Sequence, residues 1–337
     1  MADLAKPFND RLTVSADLPE LTREILQAVR TESTRKAYRH DWNRFCAWAK
    51  KNNCEQYPVD ARTLGLYLVW MYSENYSKAT IRRTLTVVRL AHDARDDPTG
   101  EREIRAIITG IMRKDKRQPR KAKPIMFGEL QAICEALTAN DNPRNRRDRA
   151  LISLGWIGAL RASELVGLNW NDVIEATEGL EIHIRESKTN KTADPEMVAI
   201  PYLRHEYSVV CPVRNLIAML PEVDSNLDFE KAFRDLAKPV FTGSAAPDGE
   251  RMSERTIERA LKRACAAAGL KKRFTSHSLR RGFATFAAAN GIDHHALMAH
   301  GRWKSAQVAE GYSERTRLWT HNPIGELLGQ PKAEPSG

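Results

Sequence analysis

One stretch constrains this chain more than any other: residues 273–312, RFTSHSLRRGFATFAAANGIDHHALMAHGRWKSAQVAEGY. Its first half reads as a helix with two faces. His277 and Arg280 stand three residues apart, and such neighbours share a helix face, so both can reach one ligand group. Leu279, Phe283, Phe286 and Ala287 supply the apolar side that seeks a core. A guanidinium beside an imidazole is a poor pair for a core and a good one for a phosphate. The guanidinium gives two parallel hydrogen bonds and the imidazole can move a proton. The stretch closes on Trp303 and Tyr312.

Two strings upstream belong with it. GALRASEL carries Arg161 and Glu164, one helical turn apart, and SKT carries Lys188. H-x-L-R-R followed by a Trp and a Tyr, behind these strings and in this order, resembles the tyrosine recombinases, also called phage-type integrases. Arg161 matches that family's first arginine motif and Lys188 its hairpin lysine. Trp303 stands where most members carry a second histidine. The N-terminal part is similar to the family's core-binding domain, so the resemblance covers nearly the whole chain. It implies a mainly α fold with a small β-hairpin or sheet. It further implies a two-domain, C-shaped clamp, made of a helical core-binding domain and a mixed α/β catalytic domain.

The resemblance also implies a chemistry. Tyr312 would attack a DNA phosphodiester and form a 3′-phosphotyrosine ester, close in energy to the bond it replaces, so neither ATP nor a metal or cofactor is called for. Arg161 and Arg280 would clamp the scissile phosphate, their forks matching its oxygens better than lysine could. Lys188 would protonate the departing 5′ oxygen, with Lys191 a competitor in the same turn. His277 would act as acid or base. Glu164 would hold the site from behind, and Trp303 would donate its indole N–H or pack beside the phosphate. Each residue alone has an ordinary reading. A tyrosine is usually a rim or core residue, an Arg–Glu pair at this spacing is usually a surface salt bridge, and a lysine in a polar turn is usually solvated. Their joint order decides against coincidence. His294, His295 and His300 invite a zinc reading, but no acidic or cysteine partner sits at ligand spacing.

Composition agrees. A length of 337 residues allows two domains, and a net charge of +10 favours a polyanionic partner. No apolar run reaches the ~18 residues of a membrane helix, and MADLAKPFND has no leader-like hydrophobic segment. Five scattered cysteines without a C-x-x-C read as reduced thiols of a cytosolic protein.

In chain order, residues 1–18 read as a loose arm and 19–112 as the helical, DNA-binding domain. Within it, 31–52 is a helix with a Tyr38, Trp42, Phe45, Ala49 stripe and with Arg35, Lys36, Arg39 and His40 in its first turns. Asp60 caps the next helix, with Leu64, Leu68 and Met71 inside. Ser77 caps another, whose buried stripe is Ile81, Leu85 and Val88 and whose basic sector holds Lys78, Arg82 and Arg89. A charged sector is by default a solvated face; ahead of a recombinase signature it suits a DNA groove. A further helix covers 102–114. The run RKDKRQPRKAKP, 113–124, has no apolar period and reads as a basic linker. Its Arg120 and Lys121 are expected on the DNA backbone, with the domain boundary near 120.

The catalytic domain, 125–321, opens on the helix FGELQAICEAL. There follow a charged loop, NDNPRNRRDR, and the apolar helix ALISLGWIGAL, which delivers Arg161. Leu180–Ile184 and Met197–Ile200 alternate as the strands of a hairpin whose turn, Ser187–Asp194, holds Lys188 and Lys191. Helices are expected near 211–220 and 253–269. Residues 322–337 read as a C-terminal helix and tail. Ile324, Leu327 and Leu328 share one face, which packs either on its own subunit or, as the resemblance favours, on a neighbour.

The partners implied are double-stranded DNA with inverted-repeat sites and further copies of the chain, a dimer on each site and a homotetramer on two. No membrane is implied. The setting implied is the cytoplasm, with the chain encoded by a bacterium or by a phage or other mobile element and acting on DNA. Two other functions stay open: a related phosphotyrosine enzyme (a type IB topoisomerase or telomere resolvase) and a DNA-binding regulator without chemistry. The compact helical domain and short tail favour a recombinase over the first. The full set of catalytic residue types argues against the second.

Overall fold

The structure is a computed structural model and describes residues 31–92, 95–117, 122–185, 196–219, 238–245 and 249–305. The chain divides into two compact units, residues 1–120 and 121–337.

The first unit holds α1 (Glu32–Lys51), α2 (Ala61–Ser73), α3 (Lys78–Ala91) and α4 (Arg102–Lys114). Polar caps start the first three. Thr31, Asp60 and Ser77 each accept from the backbone N–H three residues on, satisfying donors that a helix start leaves orphaned. Trp42, Phe45, Ala49, Leu64, Leu68, Met71 and Ile81 close one core, with Phe45 set edge-on to Tyr67 at 5.1 Å. The face α3 buries is broader than the expected stripe. Thr84 and Val87 are buried with Ile81 and Val88, whereas Leu85 is only partly covered. The cause is Asp41, fully buried on α1. Arg83 reaches it with two nitrogens, at 2.5 and 3.1 Å, and Arg44 lies 3.0 Å away. This pairing turns α3 so that the Thr84–Val87 side faces inward.

The second unit is built on α5 (Phe127–Ala139), α6 (Pro143–Ile157), α7 (Ala162–Gly167), a small sheet, α8 (Pro212–Ile217), α9 (Glu254–Ala267), α10 (Ser276–Ala289) and α11 (His294–Gly301). The sheet is antiparallel, in the order β1 (Val173–Ala176), β2 (Gly179–Ile184), β3 (Glu196–Pro201). Leu180 faces Ile200 and Ile182 faces Val198, so β2 and β3 turn an apolar side to the core shared with Leu151, Leu154, Leu165, Ile257 and Leu279.

Two expectations are corrected. NDNPRNRRDR is no loop beyond its first residues: α6 begins at Pro143, with Asn142 accepting from the Asn145 N–H at 3.0 Å. Its charges mislead because two of them are core. Arg147 is buried, donates to the Thr242 and Gly243 carbonyls at 2.9 and 2.8 Å, and pairs with buried Asp148. The hairpin is also joined by a third strand, β1. Only Val173 of that strand is buried, so it lacks the alternation by which a strand is recognised.

All five cysteines are free thiols, four of them buried. Burial pushes the Cys134 thiol up to about 12, which removes it as a nucleophile at neutral pH.

Candidate active site

Arg161 sits at the start of α7, directly after the tight turn Gly158–Leu160 that ends α6. Ala159 in that turn has a φ of 47°, which brings the chain round sharply enough to free its carbonyl for a partner. Glu164 reaches back one turn. One carboxylate oxygen accepts the Arg161 backbone N–H at 2.9 Å, and the other accepts from the Arg161 guanidinium. The carboxylate has no exposure, while the Arg161 side chain keeps 22 %. Glu164 is therefore a fixed anion behind a guanidinium that still faces solvent.

Arg280 occupies the buried side of α10, 2 % exposed. It donates to the carbonyls of Ala159 and Gly301 and lies 4.5 Å from the centre of the Trp303 ring, a cation–π arrangement. One guanidinium thus joins the turn before Arg161 to the turn before Trp303. Glycine is required at 301: a Cβ there would come within 1.9 Å of the Trp303 ring. It is required at 282 as well, where a Cβ would meet the Ile125 carbonyl at 2.0 Å. That carbonyl accepts the Trp156 indole N–H at 2.7 Å, and the Ser278 carbonyl accepts the Ile125 N–H at 3.1 Å. The close approach clamps α10 to α6, and so fixes Arg280 against the Arg161 turn.

His277 stands one turn before Arg280 and is exposed. Partial burial of its ring, then the charges of Arg280, Arg281 and Arg161, hold its imidazole below the ordinary histidine range. At neutral pH it is uncharged and able to accept a proton. Three residues apart on α10, His277 and Arg280 share a helix face. His300 serves the packing instead. Its Nε2 lies 2.7 Å from the Ile157 carbonyl and its ring packs on Phe283 at 4.7 Å.

One residue of the cluster escapes sequence reasoning. Arg302, 8 % exposed, donates to Glu164 at 2.8 Å and to the His300 carbonyl at 3.1 Å. Burial alone would push the Glu164 carboxyl up. Arg302 and then Arg161 more than offset this and hold it below the usual carboxylate range. In HGRWKS nothing marks the arginine as buried.

The structure brings together Arg161, Glu164, His277, Arg280 and Trp303. Lys188, Lys191 and Tyr312 lie outside the described residues, as do Arg120, Lys121 and the segment 322–337. In the first unit Lys36, Arg39, His40, Arg82 and Arg89 are exposed. Arg35 and Lys36 lie 3.8 and 3.9 Å from Glu32. Lys78 donates to the Met112 carbonyl at 3.3 Å and Arg89 to Thr99 at 3.1 Å. No helix among the described residues is long and apolar enough to cross a membrane.

Two guanidiniums, a neutral imidazole and an indole, with Arg161 held by the buried Glu164 carboxylate and Arg280 by two backbone carbonyls, stand on a helical unit with a small antiparallel sheet, an arrangement suited to an anion such as a phosphate. Comparison with known proteins agrees. Residues 125–317 match the phage integrase family and residues 23–93 the N-terminal SAM-like domain of phage integrases. The chain belongs to the phage integrase family, among the tyrosine site-specific recombinases. It is 28 % identical over 328 residues to an integrase/recombinase XerD homolog of Selenomonas ruminantium, covering 96 % of this chain and 91 % of that one. It is 27 % identical to the tyrosine recombinase XerC of Pelotomaculum thermopropionicum, covering 82 % and 86 %. Similar solved folds include the Tn1549 transposon integrase in complex with circular intermediate DNA. There the TM-score is 0.58 at 17 % identity, over 88 % of this chain and 96 % of that one. The XerH recombinase bound to its palindromic difH substrate is similar too, with TM-score 0.55 at 15 % identity, over 88 % and 78 %.

Proposed function

We propose that this recombinase cuts and rejoins double-stranded DNA through a 3′-phosphotyrosine intermediate, with Tyr312 as the nucleophile. The observation that carries the proposal is the convergence of Arg161, Arg280, His277 and Trp303 around one solvent-facing guanidinium, in a chain of this family. Arg161 and Arg280 would neutralise the non-bridging oxygens, since catalysis at a phosphoryl centre rests mainly on stabilising the charge that develops there. Neutral His277 would take or return a proton. Lys188, or Lys191 in the same turn, would protonate the 5′ oxygen, and Glu164 would hold Arg161. Tyrosine loses a proton as its oxygen joins phosphorus, and the 5′ oxygen gains one as it leaves. Charge therefore balances without ATP.

The similar recombinases solved on DNA support a duplex partner, and the bacterial relatives support action in a bacterial cytoplasm. A clamp formed by two domains, inverted-repeat sites with a dimer on each, and a tetramer on two sites belong to the same proposal. The finer likeness to the family member Cre rests on Trp303. Chemistry is favoured over a silent regulator because a merely DNA-binding relative has no need of a buried carboxylate aligning an arginine.

The test is covalent trapping. A duplex selected by the protein from randomised DNA, nicked beside the cleavage point, should give a denaturation-resistant adduct with the native protein. Tyr312→Phe should give none while binding the same duplex equally. Products from two-site plasmids then distinguish a recombinase from a topoisomerase.

A further inference from the structure

Arg302 is in an unusual place for an arginine. It ends α11 in the left-handed region, at φ 53° and ψ 44°, where glycine is the residue of choice and a side chain is strained. If the position existed only to turn the chain, glycine would serve it better. Its guanidinium is instead spread over four segments. It reaches Glu164 on α7 at 2.8 Å, the His300 carbonyl of its own turn at 3.1 Å, the Gly158 carbonyl after α6 at 3.5 Å and Glu196 at the start of β3 at 3.6 Å. Glu164 is the carboxylate that holds Arg161, and Trp303 is the next residue along the chain. β3 is the strand that follows the segment carrying Lys188.

We propose that Arg302 is a positioning residue for strand transfer: through the shared Glu164 carboxylate it sets the Arg161 guanidinium, and through its own strained turn it sets Trp303. The inference rests on the phosphotyrosine reading above. Glu164 Oε2 accepts from Arg302 and from the Arg161 backbone N–H while Oε1 accepts from the Arg161 guanidinium, so without Arg302 the carboxylate that aims that guanidinium loses one of its two cationic partners. Arg302 touches no reacting atom. Its effect is on the geometry of the residues that do, and supporting partners of this kind are typically worth roughly 10- to 100-fold in activity.

The experiment compares Arg302→Gly, Arg302→Met and Arg302→Lys with the native protein. The readouts are adduct formation in a single turnover at saturating selected duplex, the Kd for that duplex and the Tm. Glycine relaxes the backbone, methionine keeps the stem without charge, and lysine keeps the charge as a single point. The expected result is a native-like Kd in all three. Cleavage should fall roughly 10- to 100-fold in the Gly and Met variants and less in Lys, with no correlation between rate and Tm. Native cleavage by Arg302→Gly would overturn the proposal, because the position would then be only a turn. Rates that simply follow Tm would overturn it too. Should Gly and Met fail to fold, lysine carries the test alone, and a native rate there overturns the inference. One ammonium cannot span Glu164, Glu196 and the His300 carbonyl together. Failure of the native protein to form any adduct would instead sink the phosphotyrosine reading.

Discussion

At the scale of single residues, the site depends on buried charges that cannot be left alone. Removing Glu164 takes from Arg302, 8 % exposed, its nearest carboxylate and leaves it Glu196 at 3.6 Å. Glu164→Ala should therefore cost about 3–5 kcal/mol of stability, the usual consequence of breaking one side of a buried pair, read as a shift in denaturant midpoint. Gly301→Ala pushes a methyl into the Trp303 ring. It should cost about 1–3 kcal/mol as an overpacked site and slow cleavage, with the Kd for DNA unchanged. The pH dependence of stability follows from His300, whose imidazole burial holds below its ordinary value of 6.5. As pH falls past 6.5 the unfolded chain takes the proton before the folded one does. The contribution of His300 is complete above 6.5 and is lost as pH drops toward the lower folded value. Denaturation midpoints measured from about pH 7.5 to about pH 5 should fall, and His300→Gln should flatten that part of the curve. An unaltered slope in the variant would assign the loss to other groups. Sequence reading singled out Arg161, Glu164, His277, Arg280 and Trp303 because they fall in a recognisable order. It missed Arg302 because neither its burial nor its left-handed backbone leaves a mark on composition or period.

At the scale of elements, helices with a polar cap and an apolar stripe were legible to within a few residues. The Asp60 and Ser77 caps are examples, and the 102–114 range of α4 was legible although no side chain caps its start. What sequence could not show was charge turned inward. Arg147 and Asp148 hid the first turns of α6, and Asp41 with Arg83 shifted the buried face of α3. The same pairing logic sharpens the prediction for α3. Arg82 is exposed, whereas Lys78 already serves the end of α4 through the Met112 carbonyl. Arg82→Ala should weaken DNA binding and, if it holds a phosphate, lower the salt slope of log K by about one. Lys78→Ala should in addition lower the Tm, which Arg82→Ala should not. Band-shift titrations at several salt concentrations, with melting curves, check both. Equal salt slopes in Arg82→Ala and the native protein would mean a solvated face.

At the scale of the whole molecule, a net charge of +10 predicts association with DNA that weakens steeply with salt. The proposed tetramer would gather four active sites on two duplexes, and closed assembly favours cyclic, head-to-tail contacts. The apolar residues Ile324, Leu327 and Leu328, outside the described residues, are the proposed element of that contact. Deleting residues 322–337 should leave half-site binding intact and abolish cooperative filling of the second arm. Full cooperativity in the truncated protein would remove the tail from this role. Loss of half-site binding would show that it packs on its own subunit.

The central claim is that Tyr312 carries the DNA during strand transfer, and its most direct test is chemical. The adduct trapped on a nicked duplex is digested with protease and nuclease, and the linked peptide is sequenced by mass spectrometry. The expected product is one peptide, from the end of the stretch that begins at Arg273, with a nucleotide 3′-phosphate on the Tyr312 oxygen. A linkage at any other residue, or through a 5′-phosphate, would contradict it.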